Sequence, residues 1–227
     1  LDGELKGQET DLRGPLKVSC LDAFLTLWSA DLTHFIASNP RIEMSLSADN
    51  RPSDLGRREA DVAIRLSKQP PDYLLGKQYC EVFFALYAQL DFARRSFEQG
   101  SCTLSDVPWI GFEEPFAEGT DRVIEKWAPG ANIPLRINSL LALELTMSQG
   151  AGVSVLPCFF GDRNPRLVRV GSYFEGGTYL WVLTHPQLRR TGRVRLFREQ
   201  VAGWIERDRD LLLGQCPRIA AITARDQ

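Results

Sequence analysis

DVAIRL (61–66) reads as an otherwise apolar strand that ends on Arg65. A guanidinium carried to the C-terminal edge of a sheet is a planar five-donor fork that fits a carboxylate. The competing reading is an arginine that reaches solvent or pairs with a surface acid. Ser19 and Asp22 flank an expected strand-to-helix turn, and Thr120 with Gly119 and Asn138 with Ser139 stand at two further expected helix starts. Unpaired N–H groups at such starts attract anions, although helix capping alone accounts for the same residue types. The chemistry offered is recognition of an anion. Asp22, and Glu113 with Glu114 in the stretch FEEPF (112–116), pull the other way and keep a zwitterion such as an amino acid open.

Bond-making machinery is not legible. The two histidines are His34, on an amphipathic stretch, and His185, before Pro186. GxSxG, HExxH and a Gly-rich loop before Lys-Ser/Thr do not occur, so no enzyme is expected. Cys20, Cys80, Cys102, Cys158 and Cys216 are odd in number, far apart, and without CxxC or a neighbouring histidine. They read as reduced cytosolic thiols in a cytoplasmic protein, with no metal and no cofactor. A redox pair of Cys102 with Cys158 is the alternative, which the spacing does not support.

The elements that must hold these groups follow from length and pattern. The 227 residues, 44% hydrophobic, suffice for one large domain or two lobes. A formal net charge of -2 gives no basic field for DNA, and the cluster Arg189, Arg190, Arg193, Arg195, Arg198 reads as the solvated face of a helix. No apolar run is long enough to span a membrane, and the start at Leu1 reads as a fragment of a longer protein or as a processed one.

LKVSC (16–20) reads as a strand, and Leu25, Trp28, Leu32, Phe35 and Ile36 place a helix before Pro40. Ile42, Met44 and Leu46 alternate as a strand, Ser53 or Asp54 caps a short helix, and 61–66 closes a βαβαβ order. VFFALYA (82–88) and WIGF (109–112) read as strands, and Thr120 caps a helix carrying Val123, Ile124 and Trp127. LRIN (135–138), a helix ending at Gly150, VSVLP (153–157), and strands at 166–170 and 179–184 continue the alternation. Val194, Phe197, Val201, Trp204 and Ile205 lie on one helical face, and the patternless end beyond Gly214 is expected to be mobile. Gly150 and Gly152 do not make a dinucleotide loop, because that motif runs from strand to helix and this one runs from helix to strand.

LRGPLKVS (12–19), LGRREADVAIR (55–65), NSLLALELTMSQGAGVSVLP (138–157) and LWVLTHPQLRRTGRVRLF (180–197) together resemble the effector-binding domain of LysR-type transcriptional regulators. The resemblance implies an α/β fold of two Rossmann-like lobes joined by two hinge strands, like type-two periplasmic binding proteins. It sets residues 1–11 as the end of a linker, 12–86 with 186–210 as lobe I, 87–185 as lobe II with the hinge strands crossing near Leu86 and Thr184, and 211–227 as a flexible tail. A ligand would then sit between the lobes near Ser19, Cys20, Leu21, Arg65, Thr120, Asn138 and Ser139. The expected partners are a small effector, a carboxylate or amino acid, and a second copy in a homodimer or homotetramer, with helix 22–38 facing lobe II of its mate. DNA would be reached only through a helix-turn-helix domain outside this chain, and no membrane is involved. An exported solute-binding protein of the same fold is the other reading, one that needs a signal peptide or lipid anchor ahead of Leu1.

Overall fold

The computed structural model describes residues 12–48, 60–70, 74–114 and 116–224, and the linker end at 1–11 and the helix capped by Ser53 or Asp54 lie outside them. The chain divides into two compact units, one holding the residues up to Cys80 and Thr178–Arg209, the other Glu81–Gly177 and the residues from Asp210 on. Each unit is an α/β assembly.

In the first unit, alternation sets the strands. β1 (Gly14–Cys20) points Leu16, Val18 and Cys20 to one buried face, and β2 (Ile42–Ala48) lies parallel beside it. Two helices, α1 (Asp22–Leu27) and α2 (Ser29–Ser38), connect them where a single helix is expected from the spacing. The break falls at Trp28, whose ring stacks on Phe24 at 5.0 Å and whose indole N–H donates to Asp208 at 2.8 Å. β3 (Val62–Ser67) pairs parallel with β1, and the last third of the long strand β8 (Leu167–Thr184) pairs antiparallel with β3. The order in this unit is therefore β2-β1-β3-β8. The carboxylate of Asp61 accepts from the Lys17 amide at 2.9 Å, and its carbonyl accepts from the fully buried Thr184 hydroxyl at 2.7 Å, which joins the rims of β1 and β8.

The second unit contains β4 (Leu75–Gln89) from Glu81 onward, α3 (Leu90–Ala93), β5 (Ile110–Phe112), α4 (Ala117–Trp127), β6 (Leu135–Ile137), α5 (Leu140–Met147), β7 (Ser154–Pro157) and α6 (Cys158–Gly161). β4 pairs antiparallel with β7, and β5 pairs parallel with β6. The helix-to-strand reversal read from the sequence is present: the Gly150 amide donates to Met147 O at 2.8 Å, and Gly152 at φ 148° lies so close to Pro108 O that a Cβ would collide with it. Trp109 then bridges Val153, and the buried Ser154 hydroxyl donates to Ile110 O at 2.6 Å.

The expected strands at 166–170 and 179–184 are one strand, β8. The ladder runs through the intervening glycines, with the Glu81 carboxylate accepting from the Gly177 amide. The chain passes between the units at Cys80 and Gly177, inside β4 and β8, rather than near Leu86 and Thr184. α7 (Gly192–Arg207) buries Val194, Phe197, Val201, Trp204 and Ile205 as the spacing predicts, and short α8 (Arg209–Leu212) follows.

The patternless end is a correction. Residues to 224 are held against the second unit: the Gly171 amide donates to Ile222 O at 3.0 Å, the Ile222 amide to Arg169 O at 2.9 Å, and Ile222 and Ala224 are buried. Backbone bridging, which has no side-chain period, left no trace in the sequence. Arg169 also donates to Gly214 O at 2.7 Å and to both oxygens of Asp162 at 3.0 and 2.5 Å, while Tyr87 donates to Asp162 at 2.7 Å. With the Asp162 side chain 2% exposed, Arg169→Met leaves a buried carboxylate uncompensated, so unfolding in urea is expected to lose about 3–5 kcal/mol. Amide exchange should rise across 215–224, and an unchanged urea midpoint would refute the assignment.

Candidate functional site

The site residues of the first unit come together through register. Cys20 lies opposite Ile64 and Ser19 opposite Ala63 in the parallel β1–β3 ladder, so the next residue of β3 on Ala63's face, Arg65, stands beside the exit of β1. Its Nη2 donates to the Ser19 hydroxyl at 2.6 Å, and its Nη1 to Ile64 O at 3.3 Å. Ser19 is 2% exposed and Arg65 half-buried, which makes this a guanidinium fixed beside the carboxyl end of β1. β3 extends to Ser67, so Arg65 lies inside the strand rather than at its tip, with Trp181 of β8 directly across.

Cys20 and Leu21 follow, both 2% exposed. Burial pushes the Cys20 thiol up to about 12 even though the Arg65 charge lowers it and the Asp22 charge raises it. It is a neutral thiol. Leu21 precedes α1 without a side-chain cap, and its carbonyl accepts from Phe24 N at 3.0 Å. The Ser19 hydroxyl accepts from Arg65, and Asp22 Oδ1 takes the Ala23 amide at 2.8 Å.

In the second unit, Ser139 is the cap of α5, accepting from the Ala142 amide at 3.1 Å, and Asn138 is the exposed residue before it. Thr120 is corrected. It lies inside α4, buried, donating its hydroxyl back to Phe116 O at 3.1 Å, and the helix starts at Ala117 behind Phe116. Phe116 sets the start because its ring packs edge-on against buried Phe112 at 5.7 Å. Thr120 is therefore not the cap of this helix, and its amide donates to Phe116 O at 3.2 Å. Phe112 O and the Asp121 carboxylate hold Arg136 at 3.0 and 2.8 Å, contacts across 24 and 15 residues that no local motif signals.

Groups read as unsuited to catalysis have local duties: His185 Nδ1 accepts from Gln187 N at 3.3 Å and His34 Nε2 meets the Ser38 hydroxyl at 3.5 Å. Among the described residues no three His, Cys, Asp or Glu side chains group to hold a metal ion, and no helix is long and apolar enough to cross a membrane. Burial also raises the Cys80 and Cys158 thiols to about 11 each, whereas Cys216 is exposed. An aromatic disulfide reagent at pH 8 is accordingly expected to label Cys216 at once, and Cys20, Cys80 and Cys158 only after denaturation. Because these three thiols are held up only in the folded state, stability is complete below the ordinary thiol range near 9.0 and falls as pH rises beyond it. Rapid native labelling of Cys20 would contradict the buried geometry.

The chain is similar to known proteins in family pattern, in sequence and in fold. The family described as "LysR substrate binding domain" matches residues 9–205. The chain is 27% identical over 231 residues to the HTH-type transcriptional regulator PtxR of Pseudomonas aeruginosa, covering 91% of this chain and 71% of that protein. The regulatory domain of CrgA, a LysR-type transcriptional regulator from Neisseria meningitidis, has the same fold at a TM-score of 0.68 and 18% identity, over 84% of this chain and 98% of that one. The effector domain of the transcriptional regulator AmpR of Pseudomonas aeruginosa gives a TM-score of 0.67 at 18% identity, over 86% and 97%. With the family match spanning all but the two ends of the sequence, the chain belongs to the LysR substrate-binding domain family.

Proposed function

We propose that the chain senses a small carboxylate-bearing metabolite for a LysR-type transcriptional regulator, and that Arg65 is the residue that takes the carboxylate. Family membership and the regulator relatives support the sensing role; they do not favour a transport solute-binding protein. The observation that carries the site is the 2.6 Å bond between Arg65 Nη2 and Ser19 Oγ beside the carboxyl end of β1. It holds the planar fork in one orientation before any ligand arrives, so little side-chain freedom is lost on binding. Cys20 and Leu21 border it through their backbone. An amino acid remains within this class, because Asp22 can receive an ammonium group. The protein acts in the cytoplasm as a non-enzymatic regulator that reaches DNA through a separate domain.

Replacing Arg65 by Ala removes a charge-assisted hydrogen bond of about 1.5–3 kcal/mol, roughly ten- to a hundredfold in affinity. Thermal-shift screening of small organic acids and amino acids, followed by calorimetry on Arg65→Ala, measures it. Binding within a factor of two of the parent would remove Arg65 from the site. Self-association as a two-fold dimer is the companion proposal, supported by the exposed apolar Ile36 on α2 and Leu46 on the edge strand β2. Sedimentation at tens of micromolar should show a dimer that Ile36→Glu dissociates, and a monomer throughout would reject it.

A further inference from the structure

The arginines that the sequence groups on one helical face divide in the structure. Arg195 lies 4.0 Å from Glu199 one turn on, and Arg198 Nε is buried with no hydrogen-bond partner among the described residues. Arg189 and Arg193 instead gather with Arg41 at the amino end of β1. That end projects, because β1 starts at Gly14 but its ladder with β3 starts only at Val18. The Pro15 carbonyl, beyond the reach of β3, accepts from Arg193 Nε at 2.5 Å, and the Gly14 amide donates to Arg41 O at 2.9 Å. Arg189 lies in the turn that leads into α7, and both it and Arg41 are exposed. Among the described residues no salt bridge holds Arg41, Arg189 or Arg193. Arg13 and Arg190 have interactions of their own and are not needed. Of the acids at this end, the Asp61 carboxylate is taken by the Lys17 amide, and Glu43 stands level with Pro15 on β2.

From this arrangement we infer that the amino end of β1 is a docking surface for the phosphate backbone of the DNA that the regulator holds, with Arg41, Arg189 and Arg193 as the contacts. The inference rests on the reading above of a regulator whose DNA-binding domain precedes this chain, and it adds a second, weaker contact to that domain's own. Guanidinium forks match phosphate oxygens, and the chain that enters β1 tethers this surface to the bound DNA, which raises the local concentration of phosphate. Such contacts carry no base information, so the surface holds flanking DNA in place whatever its sequence. The formal net charge of -2 does not oppose this, since screening over about 8 Å at physiological ionic strength leaves a phosphate to meet the local charges alone.

A fluorescently labelled duplex of about 30 base pairs and arbitrary sequence tests this, with anisotropy followed as the chain is added at salt from about 20 to 100 mM. Three phosphate contacts predict a slope of log affinity against log salt of about -3. Arg41→Gln combined with Arg189→Gln changes two exposed side chains, and it should bring the slope to about -1 and weaken binding at the lowest salt at least about tenfold. Arg94→Gln combined with Arg95→Gln removes the same charge from the second unit and should leave affinity within about a factor of two of the parent. Equal loss in the two double variants would reduce the effect to bulk charge and overturn the assignment. Displacement of the duplex by poly-glutamate at equal charge concentration would overturn it too, and make an acidic polypeptide the partner. A duplex that does not bind at the lowest salt would likewise remove the surface, while leaving the regulator reading standing, because that reading draws its DNA binding from the separate domain and its effector binding from Arg65 at the other end of β1.

Discussion

Register across β1, β3 and β8 is the constraint on which the rest of the first unit depends. Leu16, Val18 and Cys20 of β1, Val62 and Ile64 of β3, and Leu180 and Val182 of β8 all lie on one face with exposures of 0–2%. A slip of one residue in any of the three strands would turn that strand's apolar set to the opposite face and turn Lys17, Arg65 or Trp181 inward. Burying an unpaired guanidinium costs several kcal/mol, so the slipped arrangements are far less stable than the native one. The same alternation that builds the core therefore decides that Arg65 meets Ser19. The Arg65–Ser19 pair is a by-product of the register, not an addition to it.

Aromatic packing holds the helices of that unit in one piece. Phe24 stacks on Trp28, Trp28 tilts against Trp204 at 6.0 Å, Trp204 meets Phe197 edge-on at 5.9 Å, and Phe197 meets Phe35 at 5.2 Å. Trp28 is shared by α1 and α2 as the residue between them, and its N–H is paired with Asp208 just past α7. Arg207 next to it forks onto Asp31 with bonds of 2.6 and 2.8 Å. That pair is half-exposed and contributes modestly; the buried rings carry most of the energy.

In the second unit the equivalent center is polar. Asp162, Arg169 and Tyr87 satisfy one another and Gly214 O in a nearly dry setting, where each bond is stronger and each missing partner more costly. Burial, with the neighbouring Cys158 and Asp162 adding to it, raises the Tyr87 phenol, so it stays a donor at any physiological pH. Through Gly214 the cluster fixes where the last segment of the chain leaves α8, and Ile222 then follows the β8 backbone.

What the sequence determined by itself is whatever has a period or a cap: the strands of β1, β3, β5 and β7, the inward face of α7, the Ser139 cap, and the helix-to-strand reversal at Gly150 and Gly152. These are local, and short-range sterics and amphipathicity write them directly into residue order. That Arg65 is a planar cationic donor was legible too, as side-chain chemistry, and four separated stretches were enough to mark the family. Tertiary structure decided the rest. Thr120 moved into a helix because Phe116 found Phe112, an encounter that capping rules do not contain. The single helix over 22–38 broke at Trp28 because its indole is tied to a residue 180 positions away. β8 ran unbroken through its glycines because Glu81 takes the Gly177 amide, and the patternless end acquired a place because backbone groups pair without regard to side chain. In each case the deciding partner is remote in sequence, and the choice is made by which buried polar or aromatic group must be satisfied once the chain has closed on itself.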